Sequence, residues 1–287
     1  MDNNIDISSW ILCGACLLSL LGAIWSLAPW RRTGRLRREP EAESDEAADS
    51  LPPLTVVVYA EGSQEELDLC VERLEQQDYD PLQIVIVCRA TAESRDLLAG
   101  RYADRPNVYV TFIPPGSHNL SERKLAITVG LKAAIGDIVL TTASNIRPAS
   151  PQWLRQMAEP FADPEVEMVL GYSHMDFSEM QGPGRWYRQF DSTAIAGQWI
   201  GYALGARPYR GDGYNLAFRK RTFFAHKGYA RNIFLHYGDD DIFISEIARR
   251  DNTAVELADD SIVGLLTHDY GRTLRRAAVR HIFTEGH

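Results

Sequence analysis

The sequence has few of the residues that build metal sites and disulfide frameworks. Its 287 residues include 4 cysteines and 7 histidines. Cys13 and Cys16 form one CxxC inside an apolar run, but no second CxxC completes a zinc pattern, and there is no HExxH motif. We therefore expect reduced, packed cysteines and structural histidines, in a chain long enough to bury a core without staples.

Positive charge is also in short supply. The formal net charge is -9, with 30 Lys and Arg against 39 Asp and Glu. A general nucleic-acid binder needs clustered cations to neutralise phosphates, so this balance argues against nucleic acid as a partner. With 45% hydrophobic residues, the composition is that of a globular protein rather than a disordered one.

One segment near the N-terminus has no charge at all. Residues 10–30 are 21 uncharged residues, which as a helix span about 31 Å, close to the thickness of a bilayer's hydrocarbon core. Residues 1–9 carry two aspartates, and five arginines follow at 31–38. The positive-inside rule then predicts a single-pass protein of the cell membrane, with residues 1–9 outside and the body cytoplasmic. The alternative is a buried helix of a globular domain.

Residues 31–51 combine those five arginines with a following run of acidic residues and almost no large apolar side chain. This composition predicts a flexible linker to a domain at 52–287. The arginines either contact anionic membrane lipid or serve only as the topology signal.

From Leu51 onward, apolar strands alternate with helical patterns. Ser63 and Glu66 form a capping box at the start of the first helix. The alternation predicts an α/β domain with a mostly parallel sheet, helices on both faces, and ligands bound at the carboxyl ends of the strands. The expected strands are 54–60, 83–88, 108–113, 137–142 and 167–173, and the expected helices follow Ser63 and lie near 92–103, 121–134, 151–161, 185–204 and 239–249.

Several strings occur in an order that resembles the family 2 glycosyltransferases. They are VERLEQQDYDPLQIVIV (71–87), KLAITVGLKAAIGDIVLTT (124–142), RPASPQWL (147–154), GDGYNLAFRK (211–220) and YGDDDIFISEIA (237–248). The resemblance is to membrane-bound bacterial members and covers residues 52–283. It implies a Rossmann-like fold of the glycosyltransferase A type, and inverting transfer of a sugar from a nucleotide-sugar donor to a lipid-linked or surface-glycan acceptor.

The resemblance assigns the catalytic role to three neighbouring acids, which we call the aspartate triplet: Asp239, Asp240 and Asp241. Asp239 matches the family's base, which takes the proton of the acceptor hydroxyl. The alternative is that three acids at the first turn of a helix only stabilise its positive end.

The donor side departs from the family pattern. The D-x-D that holds Mg²⁺ or Mn²⁺ is replaced by Ala143, Ser144 and Asn145, so that Asn145 is the one weak metal ligand left and a bound cation is doubtful. Cationic side chains are the substitutes for neutralising the leaving diphosphate, and Arg123 is among them. The positions that the resemblance implies for donor binding are Glu61, Arg89, Lys124, Asn145, Arg147, Arg280 and His281.

The acceptor side is implied at Asn215 and Arg219 within GDGYNLAFRK, and at Trp186. Trp186 belongs to an aromatic stretch with Tyr187, Phe190, Trp199 and Tyr202, which lines a sugar or lipid groove or packs in the core. Two functions therefore stay open: a working transferase, and a catalytically inactive relative that binds a glycan, a lipid or a protein.

Overall fold

The computed structural model describes residues 51–266, except 90, 91, 118, 179, 183, 206 and 237, together with 14, 16–19 and 21. Within these ranges, no helix combines the length and the apolar character that crossing a membrane requires. The membrane segment expected at 10–30 and the linker at 31–51 lie almost entirely outside the described residues, as do Arg280 and His281. Those expectations stay predictions.

In the part of the chain that the structure describes, ten strands form two sheets. A seven-stranded sheet has the order β3-β2-β1-β4-β8-β6-β9, and a three-stranded sheet has the order β5-β10-β7. The strands are β1 (Leu54–Tyr59), β2 (Leu82–Cys88), β3 (Val108–Phe112), β4 (Ile138–Ala143), β5 (Ile146–Pro148), β6 (Met168–Leu170), β7 (Ser173–Asp176), β8 (Leu216–Arg219), β9 (Thr253–Val255) and β10 (Val263–Leu266).

The first four strands of the large sheet are parallel, as the both-face apolar runs predict. Every residue of β1 and β4 is buried. We call the side on which β1, β2, β3 and β4 end the carboxyl edge. In contrast, β8 runs antiparallel to both β4 and β6, a reversal that the alternating pattern does not predict.

Between residues 51 and 266, as far as they are described, seven α-helices cover the two faces of the sheet, which confirms the predicted architecture. They are α1 (Gln64–Glu75), α2 (Ala92–Arg101), α3 (Glu122–Ala133), α4 (Trp153–Ala158), α5 (Gly184–Gly205), α6 (Lys220–Ala225) and α7 (Asp241–Ile247). Side chains of α1 and α4 pack in one apolar layer, and those of α3, α5, α6 and α7 pack in the other.

Local sequence signals explain how these elements begin and what fills the core. The capping box of α1 is present: Ser63 Oγ accepts from the Glu66 amide at 3.2 Å, and the Glu66 carboxylate accepts from the Ser63 amide at 3.0 Å. Cys70 and Cys88 are buried free thiols. Burial raises the pKa of Cys70 to about 12 and that of Cys88 to about 11, which suits inert packing residues.

Candidate functional site

The carboxyl edge brings the ends of β1 and β4 together. Tyr59 and Ala143 are paired in register at this edge. Directly after them, the hydroxyl of Ser144 donates a hydrogen bond to the backbone carbonyl of Glu61. Ser144 is almost completely buried. Ser144, which stands at the middle position of the family's metal motif, therefore links the ends of β1 and β4 through a hydrogen bond.

Arg123, at the start of α3, is the central cation of the site. Its Nε lies 2.5 Å from Asp239 Oδ2, and its Nη2 donates to the Gly213 carbonyl at 2.8 Å. The guanidinium also lies 4.2 Å from the centre of the Tyr214 ring. Its third nitrogen, Nη1, is buried and has no hydrogen-bond partner among the described residues. One nitrogen of a fixed guanidinium, with its two N–H groups, is thus buried without a hydrogen-bond acceptor.

The charge on Arg123 is secure. Burial by itself lowers the pKa of Arg123, but its neighbours, Tyr214 first and then the Asp239 carboxylate, raise that pKa above its ordinary value. Glu61 contributes in the same direction. The end of β1, the start of α3 and the aspartate triplet therefore form one electrostatic unit.

The aspartate triplet follows Gly238, and its last member is the first residue of α7. All three of its side chains are buried. The helix begins at Asp241, so Asp239 and Asp240 precede it rather than forming its first turn. The Tyr229 hydroxyl donates to the Asp239 carbonyl at 2.8 Å, and the Gly213 amide donates to Asp240 Oδ2 at 3.4 Å. Three acids that only stabilise a solvated helix start need neither this burial nor these hydrogen bonds.

Gly213 is the junction of the site. A Cβ added there would lie 3.2 Å from the Asp240 Cβ, 3.3 Å from Arg123 Nη2 and 3.3 Å from Asp239 Oδ2. Its carbonyl also accepts from Thr141 Oγ1 on β4 at 3.0 Å. The glycine is therefore needed for close approach, since its φ is not in the left-handed region. Gly238 does have such a φ, +84°.

Lys124 lies one residue from Arg123 but has different partners. Its Nζ donates to the backbone and side-chain oxygens of Asn232, at 2.8 and 2.9 Å, and lies 5.7 Å from the centre of the Tyr229 ring. Burial lowers the pKa of Lys124 to about 8, although the neighbouring acids, Asp239 first, oppose the shift. Lys124 fastens the loop that precedes the aspartate triplet, and it is not directed at the donor side.

The other predicted donor residues are spread along the carboxyl edge. Arg89, after β2, forms an ion pair with Glu122, whose carboxylate also accepts from the Tyr59 hydroxyl at 3.1 Å. Asn145 lies two residues after the end of β4, and Arg147 is exposed on β5. These placements agree with a donor side at this edge, and the donor roles stay predictions.

The structure gives two of the predicted acceptor residues partners within the protein, and their acceptor roles stay predictions. Asn215 is fully buried: its Oδ1 accepts from Trp153 Nε1 at 2.9 Å, and its Nδ2 donates to two backbone carbonyls. Arg219 pairs with Ile138, the first residue of β4, because β8 is antiparallel. It therefore lies at the opposite end of β4, and its guanidinium donates to nearby carbonyls. We assign both residues to the core and its rim.

The aromatic stretch divides along α5. Trp199 is buried in the core, whereas Trp186, Tyr187, Phe190 and Tyr202 are exposed. The core interpretation is therefore right for Trp199 and wrong for the other four. Trp186 lies on the surface of the first turns of α5.

The residues in place of D-x-D do not fit a divalent cation. Ala143 has no ligand atom, the Ser144 hydroxyl is directed at Glu61, and Asn145 offers a neutral amide, whereas Mg²⁺ and Mn²⁺ prefer charged oxygens. In the part of the chain that the structure describes, there is no group of three or more His, Cys, Asp or Glu side chains able to hold a metal.

Comparison with solved structures decides the fold. Over 93% of this chain, the structure resembles a mannosyltransferase from Pyrobaculum calidifontis solved with GDP-Man and Mn²⁺, at TM-score 0.60 and 18% identity. This chain has a glycosyltransferase A fold. GalNAc-T7 with UDP, GalNAc and Mn²⁺ matches over 78% of the chain at TM-score 0.55 and 12% identity. S. aureus TarS 1-349 with UDP-GlcNAc matches over 76% at 0.50 and 12%.

The coverage of those proteins is uneven. The chain spans 73% of the mannosyltransferase, 59% of the TarS fragment and 45% of GalNAc-T7. No family model and no curated protein sequence matches this chain.

The sequence did not reveal several residues that build the site. Tyr229 and Asn232 lie in a loop without a recognisable motif, and they hold Asp239 and Lys124 through hydrogen bonds. Gly213 and Tyr214 were visible only as part of the string at 211–220. Their roles come from the approach of that loop to Arg123, which no spacing rule predicts.

Proposed function

We propose that this chain transfers a sugar, with inversion, from a nucleoside-diphosphate donor to a lipid-linked or surface-glycan acceptor. The observation that carries the proposal is the junction of Arg123, Asp239 and Gly213 beside the ends of β1 and β4. A buried carboxylate and a buried guanidinium with one unsatisfied donor supply a proton acceptor and a cation for a departing phosphate. The solved neighbours bind GDP-Man and UDP-GlcNAc, which supports a donor of this class.

In the proposed reaction, the acceptor oxygen attacks the anomeric carbon as its proton moves to Asp239. The bond from that carbon to the diphosphate oxygen breaks, and the diphosphate leaves with the electron pair. Arg123 holds Asp239 Oδ2, and the proposal gives the incoming proton to the Asp239 carboxylate. Arg123 also stabilises the negative charge that develops on the diphosphate, as a bound metal ion does in metal-dependent enzymes. No step is assigned to a metal.

The test is release of nucleoside diphosphate from nucleotide sugars by the purified full-length chain. We expect Asp239→Asn to lose release by about 10²- to 10⁴-fold, the usual contribution of a positioned base. The matched control is Asp251→Asn, because the Asp251 side chain is 79% exposed and pairs only at the surface with Arg249. Release that survives in both Asp239→Asn and Asp240→Asn would remove the aspartate triplet from the mechanism.

A specific observation favours the second function, an inactive binding module. The position of the first metal-binding carboxylate is a buried alanine, Ala143, and the next side chain, Ser144, is bonded to Glu61. An inactive module predicts no measurable affinity for nucleoside diphosphates, with or without Mn²⁺. Calorimetry with several nucleoside diphosphates separates the two functions, because a working enzyme must bind its leaving group.

The proposal includes a membrane anchor at 10–30 with the domain on the cytoplasmic side. Its support is the uncharged run followed by five arginines. Alkaline extraction of membranes tests the anchor: an integral chain stays in the pellet, and a peripheral one is released. Protease protection of a tag placed before Met1 tests the orientation.

A further inference from the structure

The first half of α5 presents an aromatic surface to solvent. Trp186 is 75% exposed, Tyr187 63% and Phe190 72%. The second half of the helix behaves differently, because Trp199 and Ile200 are buried against the sheet. Among the other described residues between 51 and 266, exposed large apolar side chains such as Leu97 and Ile135 are far apart in the sequence. Three exposed aromatic rings within five residues form an apolar patch of the kind that marks an interaction site.

Two positively charged side chains lie beside the exposed rings of the patch. The Arg185 guanidinium lies 5.9 Å from the centre of the Trp186 ring, and that of Arg188 lies 6.0 Å from the Tyr187 ring. The first acid along the helix is Asp191, which follows the patch. Amphipathic aromatic rings alternating with arginines suit the headgroup region of a bilayer, where rings bury partly and arginines meet phosphates.

The patch is linked to the candidate site by direct contacts. Gln189 Nε2 lies 3.5 Å from His174 Nδ1 on β7. The preceding residue, Ser173, donates its amide to Asp212 Oδ2 at 3.1 Å, and Asp212 adjoins Gly213. The patch is therefore joined, through β7, to the loop that carries Asp212 and Gly213.

We propose that residues 185–190, which we call the aromatic patch, dock on an anionic phospholipid surface. The rings enter the interface, and Arg185 and Arg188 contact headgroup phosphates. The charge of the patch argues for this occupant, because a neutral surface or a basic protein face leaves both arginines without a counterion. The inference does not depend on catalysis, since an inactive chain would dock in the same way.

The experiment places a nitroxide label at Tyr187→Cys in the full-length chain, with Cys13 and Cys16 replaced by alanine. Cys70 and Cys88 are buried and stay. The chain is mixed with excess vesicles of phosphatidylcholine containing phosphatidylglycerol, and collisions of the label with oxygen and with a water-soluble nickel complex are compared. Leu97→Cys is the control, because Leu97 is 77% exposed on α2.

We expect the oxygen-to-nickel collision ratio at position 187 to rise several-fold with anionic vesicles and to stay unchanged at position 97. Replacing Arg185 and Arg188 by glutamine should lower the docked-to-undocked ratio by about fivefold for each arginine. A label at 187 that is as open to nickel as the control would overturn the inference. A label shielded from both oxygen and nickel would overturn it too, because a protein surface would then cover the patch.

Discussion

Replacing Arg123 by methionine removes the cation that balances Asp239 and keeps most of the side-chain volume. The two side chains are 8% and 9% exposed. Breaking a buried ion pair from one side costs about 3–5 kcal/mol, because the remaining charge stays buried without its partner. Arg123 also donates to the Gly213 carbonyl. We therefore expect a loss near the upper end, about 4–5 kcal/mol of unfolding free energy.

A double-mutant cycle with Asp239→Asn measures the pair itself. Removing the charge of Asp239 should recover part of the loss, with a coupling energy of about 2–3 kcal/mol. Urea unfolding of the full-length chain in mild detergent, followed by tryptophan fluorescence, gives the four free energies. The control is Arg221→Met, which breaks a 2.9 Å pair with Glu167 but whose arginine side chain is 66% exposed. That pair should contribute about 0–1 kcal/mol.

Two results would refute this reasoning. One is additivity of Arg123→Met and Asp239→Asn within about 0.5 kcal/mol, the scatter expected for independent sites. The other is a loss in Arg123→Met no larger than that in Arg221→Met. Either would mean that the contact does not hold the aspartate triplet in place.

Three further predictions follow from single contacts. Burial lowers the pKa of Lys124 from 10.5 to about 8, so between these values the unfolded chain binds more protons at this group; the unfolding free energy of the parent minus that of Lys124→Met should rise by up to about 3 kcal/mol from pH 8 to 10.5, because the opposite contributions of Cys70 and Cys88 cancel in the difference, and a constant difference would contradict it. Trp153→Phe leaves Asn215 Oδ1 without its buried donor and should cost about 1–3 kcal/mol in urea unfolding without changing nucleotide affinity; an unchanged midpoint would contradict it. Ala143→Asp combined with Asn145→Asp restores two carboxylates and should make nucleotide binding Mn²⁺-dependent in calorimetry, whereas equal affinity with and without Mn²⁺ would contradict the donor-set argument.

Local patterns were sufficient for the first half of the fold. Strands buried on both faces have continuous apolar runs, and the capping box at Ser63 marks the start of α1, so β1 to β4 lie within a residue or two of their expected bounds. The antiparallel β8 escaped prediction because LAFR carries no signal of strand direction. Motif order alone predicts that Arg219 lies beside the acceptor. Because β8 is antiparallel, Arg219 lies instead at the opposite end of β4.

The sequence identifies several residues of the candidate site, but it does not show which of them contact one another. The aspartate triplet stood out as three successive acids, and the structure places it beside Arg123 and Gly213. The choice of Arg123 over Lys124 as the cation of the site depends on which side chain faces the acids. Two adjacent helix residues point in directions about 100° apart, so the sequence could name both but not separate them.

Titrating the full-length chain with nucleoside diphosphates in a calorimeter, in the presence of EDTA, tests the central claim most directly. We expect micromolar binding that needs no divalent cation and weakens at least tenfold in Arg123→Met, while the exposed control Arg221→Met binds as the parent does. Binding that appears only with Mn²⁺, or binding that Arg123→Met leaves unchanged, would contradict the claim that a protein cation stands in for the metal.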